Sequence, residues 1–323
     1  MDSKNQLNEI REIKRICIYG IGGVGGFFGG QMTYNLEKLG NEPLKISFIA
    51  RGEHLRKIQE VGLILKTPKK KIIAHPNIAV DNFKELESQD LVLICVKGYD
   101  LDEVLDEISE NINENTIILP LLNGVDIYRK IREKSSKGII LPACVYVGTH
   151  IEKPGVVTQS GGDGKIIFGQ DPDFPDYPVN SVVDLFNQLN INYEYQENSL
   201  PSIWEKYLFI ASFGLVSAAY NKTLGEIMEN NELKDSVKNI MEEIVEIAEF
   251  EGVNLRETIV QDSLEKGNNF PYETTTSYHK DIMNGKKNEG DLFGGTIIRL
   301  ANKYSVETPV TEKLYSKIKN KNY

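Results

Sequence analysis

Ile16-Cys17-Ile18-Tyr19-Gly20-Ile21-Gly22-Gly23-Val24-Gly25 decides how the rest of the chain is read. A short apolar run, β-branched at Ile16 and Ile18, passes directly into Gly-x-Gly-x-x-Gly and then into a helical, amphipathic stretch over 27–39. Each glycine has its own task in a strand–turn–helix that holds a dinucleotide. The first permits a tight turn, the second lets backbone approach the pyrophosphate, and the third lets the helix pack on the strand. The N–H groups at the head of that helix then face the phosphate. The bare spacing is common in glycine-rich βα turns; its place between a strand and a helix makes it specific.

Working outward, continuous Ile/Val/Leu runs recur at 44–50, 91–96, 116–122 and 139–147. Runs without polar alternation read as strands covered on both faces, as in a parallel sheet with crossover helices. Two shorter runs, 155–158 and 165–168, bracket Gln159-Ser160-Gly161-Gly162-Asp163-Gly164, which predicts a β-hairpin turning at the glycines. Past about Gln196 the strand signals stop. Ser202-Ile203-Trp204-Glu205 has the Ser-x-x-Glu form of a capping box, so a helix is expected to start at Ser202. Residues 207–220 carry no charge, the mark of a helix buried on all sides. Leu233, Val237, Ile240, Met241, Ile244 and Ala248 keep a helical period that Gly252 ends. Further helices are expected over 274–283, 289–304 and 311–319. The fold class is α/β: a Rossmann-type dinucleotide-binding domain over 1–198, with a polar extension at 1–14, then an all-helical substrate and catalytic domain over 199–323.

Composition narrows the function. With 47 acidic against 37 basic residues the net charge is −10, which argues against a nucleic-acid partner, since such binding draws on Lys and Arg. No apolar run approaches the roughly 20 residues that span a bilayer. The first 14 residues lack the apolar core of a signal peptide, so a cytoplasmic location with no membrane partner is expected. Cys17, Cys95 and Cys144 lie in apolar runs and read as reduced core thiols. His54, His75, His150 and His279 are scattered, without HExxH or CxxC spacing, so no metal site is expected.

Ligands of open α/β sheets sit beyond the carboxyl ends of the strands, so the residues there are site candidates. The second strand ends at Arg51-Gly52. An NAD site commonly has Asp or Glu there for the ribose hydroxyls, whereas an Arg pairs with a 2′-phosphate in fork geometry, which favours NADP. A solvated loop charge is the alternative for Arg51. Lys97 and Asn123 end the next two strands and reach the same region, unless they are a surface lysine and an Asn-Gly turn. Lys206, placed near the fourth residue of a helix capped at Ser202, would face an unfavourable dipole. A lone cation there is a candidate catalytic group, or a lysine that snorkels to pair with Glu205. Glu289 follows Asn288 at an expected helix start, and Gly294-Gly295 mid-helix predict close packing against the backbone.

These parts, in this order, resemble the ketopantoate reductase (2-dehydropantoate 2-reductase) family. The resemblance runs along nearly the whole chain: Gly20-x-Gly22-x-x-Gly25, Arg51-Gly52, Val96-Lys97, Asn123-Gly124, Trp204-Glu205-Lys206, Ser277 with Asp281, Glu289-x-Asp291 and Thr308-Pro309-Val310. It implies an oxidoreductase of pantothenate biosynthesis that reduces a 2-keto acid with NADPH, both bound in an interdomain cleft. By position, Gly20, Ile21, Gly22, Gly23, Val24 and Gly25 would bind pyrophosphate and Arg51 the 2′-phosphate. Lys97 and Asn123 would contact cofactor and substrate, Lys206 would donate the proton, and Ser277 would bind substrate. Glu289 would face the nicotinamide and the reacting centre. The chain departs from the family at Ile210, Gly214, Leu224 and Gly294, where Asn is usual. Ile210 and Leu224 are expected to make the pocket less polar; Ser212, Ser217 and Asn221 are polar groups nearby. The apolar helical domain is of a kind that supports a homodimer.

Overall fold

The computed structural model describes residues 12–40 and 43–320. The polar extension expected at 1–14 lies outside these, apart from its last three residues. In chain order the first unit contains β1 (Arg15–Tyr19), α1 (Gly23–Leu39), β2 (Lys45–Ile49), α2 (Gly52–Val61), β3 (Leu63–Lys66), β4 (Lys71–Ala74), β5 (Ile78–Val80) and β6 (Leu91–Ile94). It continues with α3 (Leu101–Ser109), β7 (Ile117–Pro120), α4 (Ile127–Lys134), β8 (Ile139–Ile140), β9 (Ala143–Lys153), β10 (Val156–Gly169), α5 (Asn180–Gln188) and β11 (Tyr193–Gln196). The unit runs to Asn123 and resumes over Ile127–Ser199.

Six strands form a wholly parallel sheet in the order β5-β2-β1-β6-β7-β8. The chain builds outward from β1 to one edge, then returns to build the other side from β6. This is the doubly wound arrangement that the apolar runs predict. Every residue of β6 and β7 is buried, as a sheet covered on both faces requires.

A second sheet, in the order β11-β10-β3-β4 with β9 paired to β10, was not anticipated from sequence. It changes how α1 is read. The first half of that helix is buried throughout Gly25–Gly30, rather than amphipathic, because it lies between the two sheets. Gly29 abuts Phe48 of β2, while Gly26 abuts Val157 of β10 and Gly30 abuts Leu65 of β3. Larger residues at these positions would force the layers apart.

Two further expectations are corrected. The run at 139–147 is two strands broken at Leu141-Pro142, and β9 leaves the parallel sheet to join the second. The hairpin does not turn at the glycines of 159–164. They lie inside β10, where its register with β9 shifts twice, and the turn is Pro154-Gly155, with Gly155 at φ 77°. The extra residues are absorbed as bulges in a long antiparallel ladder.

The second unit joins Gly124–Asp126 to Leu200–Tyr323. It contains α6 (Leu200–Tyr220), α7 (Leu224–Glu229), α8 (Asn231–Phe250), α9 (Ile259–Gly267), α10 (Ser277–Met283), α11 (Thr296–Tyr304) and α12 (Pro309–Lys319), with a π-helical turn at Asp291–Gly295. Ala211–Ala219 of α6 are all buried, as expected of an uncharged helix. The helix starts at Leu200, not Ser202, because Pro201 fits a first turn, where its missing N–H costs nothing. Thr223 and Glu226 form the capping box of α7, and Asn230 caps α8. Buried Glu243 of α8 accepts N–H bonds from Val310 and Thr311 at the head of α12. No described helix is long and apolar enough to cross a membrane.

Candidate active site

One rung of the parallel sheet organises the candidate residues of the first unit. Tyr19 of β1 is in register with Ile49 of β2 and Ile94 of β6, and Ile94 with Pro120 of β7. The four strands therefore end together. Gly20 comes one residue after this rung, Arg51 two, and Lys97 and Asn123 three. At about 4.8 Å between strands, the row from β2 to β7 spans roughly 14 Å. The strand order reverses between β1 and β6, the point where such sheets take ligands.

The glycine loop has the tight turn and the close helix packing that the spacing predicts. Gly20 adopts φ 94°, and a Cβ there would stand 2.7 Å from Val96 Cγ1. Its N–H and that of Ile21 both donate to the Ile49 carbonyl, at 3.1 and 3.0 Å, which pins the turn to β2. A Cβ on Gly25 would overlap the Gly20 carbonyl oxygen and lie 2.9 Å from Cys95 Cβ, so the helix sits hard against the strand. A Cβ on Gly22 would meet nothing within 4 Å. Helix α1 has no acidic residue in its first turn and no side-chain cap, so its positive end is available to an anion. This combination fits a bound dinucleotide.

Arg51 is exposed and reaches Glu103 of α3, Nη2 to Oε1 2.8 Å. That bond pushes the guanidinium pKa up, against a smaller opposing effect of burial. Beside the pair, the Tyr19 hydroxyl donates to Glu107, which also accepts the Phe83 N–H. Burial first, and then the Glu107 bond, hold the Tyr19 phenol well above its ordinary pKa. Burial likewise pushes the Cys95 thiol up, so beneath the loop it stays protonated. Lys97 and Asn123 are both half-buried. Sequence reading missed Glu103, Glu107 and the Tyr19 hydroxyl, since nothing local links residues about 50 to 90 apart in the chain.

In the second unit, Lys206 is half-buried and is the seventh residue of α6. The earlier helix start removes the dipole argument, because that effect fades within the first turn. Glu205 pairs with Arg256 at 3.2 Å. The neighbouring Tyr207 is buried, and its hydroxyl lies 2.9 Å from the carbonyls of both Leu292 and Phe293 in the π turn. A π turn displaces its carbonyls from the helical ladder, and this phenol supplies a donor to them. Tyr207 thus ties the helix of Lys206 to the segment that follows Glu289. Glu289 is itself buried, and Asn288 accepts the Gly290 N–H at 3.1 Å. Gly294 packs under Tyr315, with Tyr315 Cγ 2.5 Å from where a Cβ would lie, which accounts for a glycine there.

Ser277 is the exposed first residue of α10, and Thr276 caps the helix. The next residue, buried Tyr278, brings its ring to 3.6 Å from the Cβ position of Gly214 and packs against Phe293, centroids 5.4 Å apart. Ile210 stays half-buried, whereas Leu224 is buried in the helical core and so does not present an apolar face as expected. Ser212 is fully buried with no hydrogen-bond partner for its hydroxyl. Ser217 bonds the Lys222 carbonyl and His279, and His279 bonds Asn221.

Residues 16–173 match the family described as Ketopantoate reductase PanE/ApbA, and residues 198–322 match Ketopantoate reductase PanE/ApbA C terminal. The chain is 24% identical over 290 residues to the uncharacterized oxidoreductase YkpB of Bacillus subtilis, covering 90% of this chain and 94% of that protein. It is 26% identical over 299 residues to a 2-dehydropantoate 2-reductase of Streptococcus pyogenes serotype M18, with the same coverage. The crystal structure of 2-dehydropantoate 2-reductase from Porphyromonas gingivalis superposes with a TM-score of 0.82 at 26% identity, covering 96% of this chain and all of that one. Both matched regions, together spanning most of the sequence, carry the same conclusion as the doubly wound sheet and its helical partner: the chain belongs to the ketopantoate reductase family of oxidoreductases.

Proposed function

We propose that the protein reduces ketopantoate (2-dehydropantoate) to pantoate, with NADPH as reductant. The observation that best supports this reading is the row at one rung: an open glycine loop, Arg51, Lys97 and Asn123. The N–H groups of Gly23, Val24 and Gly25 would hold the pyrophosphate, the Gly22 N–H being donated to the Gly20 carbonyl at 2.8 Å, and the Arg51 fork would hold the 2′-phosphate. Lys97 and Asn123 would contact cofactor and substrate. Bound NADPH supplies the hydride that the keto carbon accepts. As negative charge grows on the carbonyl oxygen, the Lys206 ammonium stabilises it and gives up a proton to it. Glu289 orients the substrate or the lysine, and the Ser277 hydroxyl binds substrate.

The test is NADPH oxidation by the purified protein with a panel of 2-keto acids. Ketopantoate should be turned over, and faster with NADPH than with NADH. No keto-acid-dependent oxidation of either nucleotide would overturn the proposal.

A second reading is a bulkier, more apolar 2-keto acid as the preferred substrate. It is supported by half-buried Ile210, one turn beyond Lys206, and by the Tyr278 ring over Gly214. The same panel decides, through a higher kcat/KM for an aliphatic or aromatic keto acid than for ketopantoate.

A further inference from the structure

The pairing of Arg51 crosses the sheet. Arg51 follows β2, while Glu103 lies in the first turn of α3, which follows β6. Strand β1 runs between β2 and β6, so the two side chains meet over its carboxyl end, where Tyr19 gives way to the glycine loop. The bond is 2.8 Å, and both side chains are more than half exposed, at 55% and 63%. Glu107, one turn further along α3, takes the Tyr19 hydroxyl and extends the acidic face behind the pair. A guanidinium has a limited number of N–H edges, and a carboxylate and a phosphate compete for the same fork.

We propose that Glu103 sets the nucleotide selectivity of this protein by holding Arg51 in an ion pair that a 2′-phosphate must displace. The proposal rests on the reading of Arg51 as the 2′-phosphate residue. NADPH binding has to break the Arg51–Glu103 bond before the guanidinium fork can take the 2′-phosphate. NADH, with a neutral 2′-hydroxyl, leaves the pair intact. Glu103 therefore lowers affinity for NADPH without lowering affinity for NADH, and the enzyme discriminates less sharply than Arg51 alone would make it. The size is bounded by the exposure of the pair. Exposed ion pairs contribute up to about 1 kcal/mol, so the penalty on NADPH is about fivefold in Kd.

The test is a double-mutant cycle on nucleotide Kd, read by nucleotide fluorescence, with Arg51→Ala, Glu103→Gln and the double variant against NADPH and NADH. Glu103 is exposed, so its substitution leaves the fold intact. Glu103→Gln should tighten NADPH by about fivefold and leave NADH within about twofold, and the tightening should vanish in the Arg51→Ala background. An unchanged NADPH Kd in Glu103→Gln, or equal tightening of both nucleotides, overturns the proposal. Tightening that persists without Arg51 also overturns it, because Glu103 would then act through its field and not through the pair. If Arg51→Ala leaves the ratio of NADPH to NADH affinity unchanged, the 2′-phosphate reading itself falls, and this proposal with it.

Discussion

Replacing Gly22 and Gly25 one at a time by Ala separates the two jobs that the loop performs. At Gly25 a methyl overlaps the Gly20 carbonyl oxygen and stands 2.9 Å from Cys95 Cβ, against a carbon–carbon optimum of about 3.5–4.0 Å. The closer contact, with the Gly20 oxygen, sets the demand: relief needs a shift of roughly 1 Å between the head of α1 and the turn that follows β1. Overpacking of this kind costs about 1–3 kcal/mol, or roughly 2–12 °C in Tm for a domain of this size. At Gly22 the methyl enters space that holds no protein atom within 4 Å, so Tm should stay within about 2 °C of wild type. The same methyl blocks close approach of a pyrophosphate and weakens at least one charge-assisted N–H bond. That loss, about 1.5–3 kcal/mol, is a 10- to 150-fold weaker NADPH Kd. Thermal unfolding and fluorescence titration on the same preparations read both quantities. A Gly22→Ala protein that binds NADPH as wild type does would refute the assignment of this loop to the pyrophosphate.

Two further predictions concern stability. Asp171 is fully buried and accepts from Tyr128 Oη at 2.7 Å, Arg132 Nη2 at 2.6 Å and Ile140 N at 2.7 Å, so Asp171→Ala should cost about 3–5 kcal/mol in urea unfolding; a loss below about 1 kcal/mol would show that the staple between α4 and β8 is dispensable. Burial holds the Glu243 carboxyl above its ordinary value of 4.5, against the Thr311 and Val310 bonds that pull it down. A group with a raised folded pKa gives its full stability below the unfolded value and loses it as pH rises through the folded one. Tm of the wild type should therefore fall relative to that of Glu243→Gln as pH rises above 4.5, and parallel curves would contradict the assignment.

How much of this was legible in advance depends on how local each signal is. The turn and the helix packing of the glycine loop were readable because both are decided within ten residues. The parallel sheet was readable because β6 and β7 are buried on both faces and so are unbroken apolar runs. The second sheet was not. Strands β3 and β4 are four residues each and carry lysines, and β10 buries its ends while its glycine-rich middle is exposed, so its periodicity resembles a turn. Its pairing with β3 and β11 is long-range and leaves no local mark. At Lys206 the residue was singled out for a reason that the true helix start removes; the Tyr207 hydroxyl and the π turn, tying its helix to the Glu289 segment across more than 80 residues, could not be read from either segment alone.

Lys206→Ala tests most directly whether Lys206 is the proton donor of a keto-acid reductase. The substituted residue is half-buried, in turns whose buried residues are Ile203, Trp204, Tyr207 and Leu208, so the fold should persist. The glycine loop and Arg51 lie in the other unit, so the NADPH Kd should be unchanged. With saturating ketopantoate and NADPH, kcat should fall by about 10²–10⁴-fold, the contribution of a positioned general acid. A variant that keeps more than about a tenth of the wild-type kcat, well short of that contribution, would contradict the assignment.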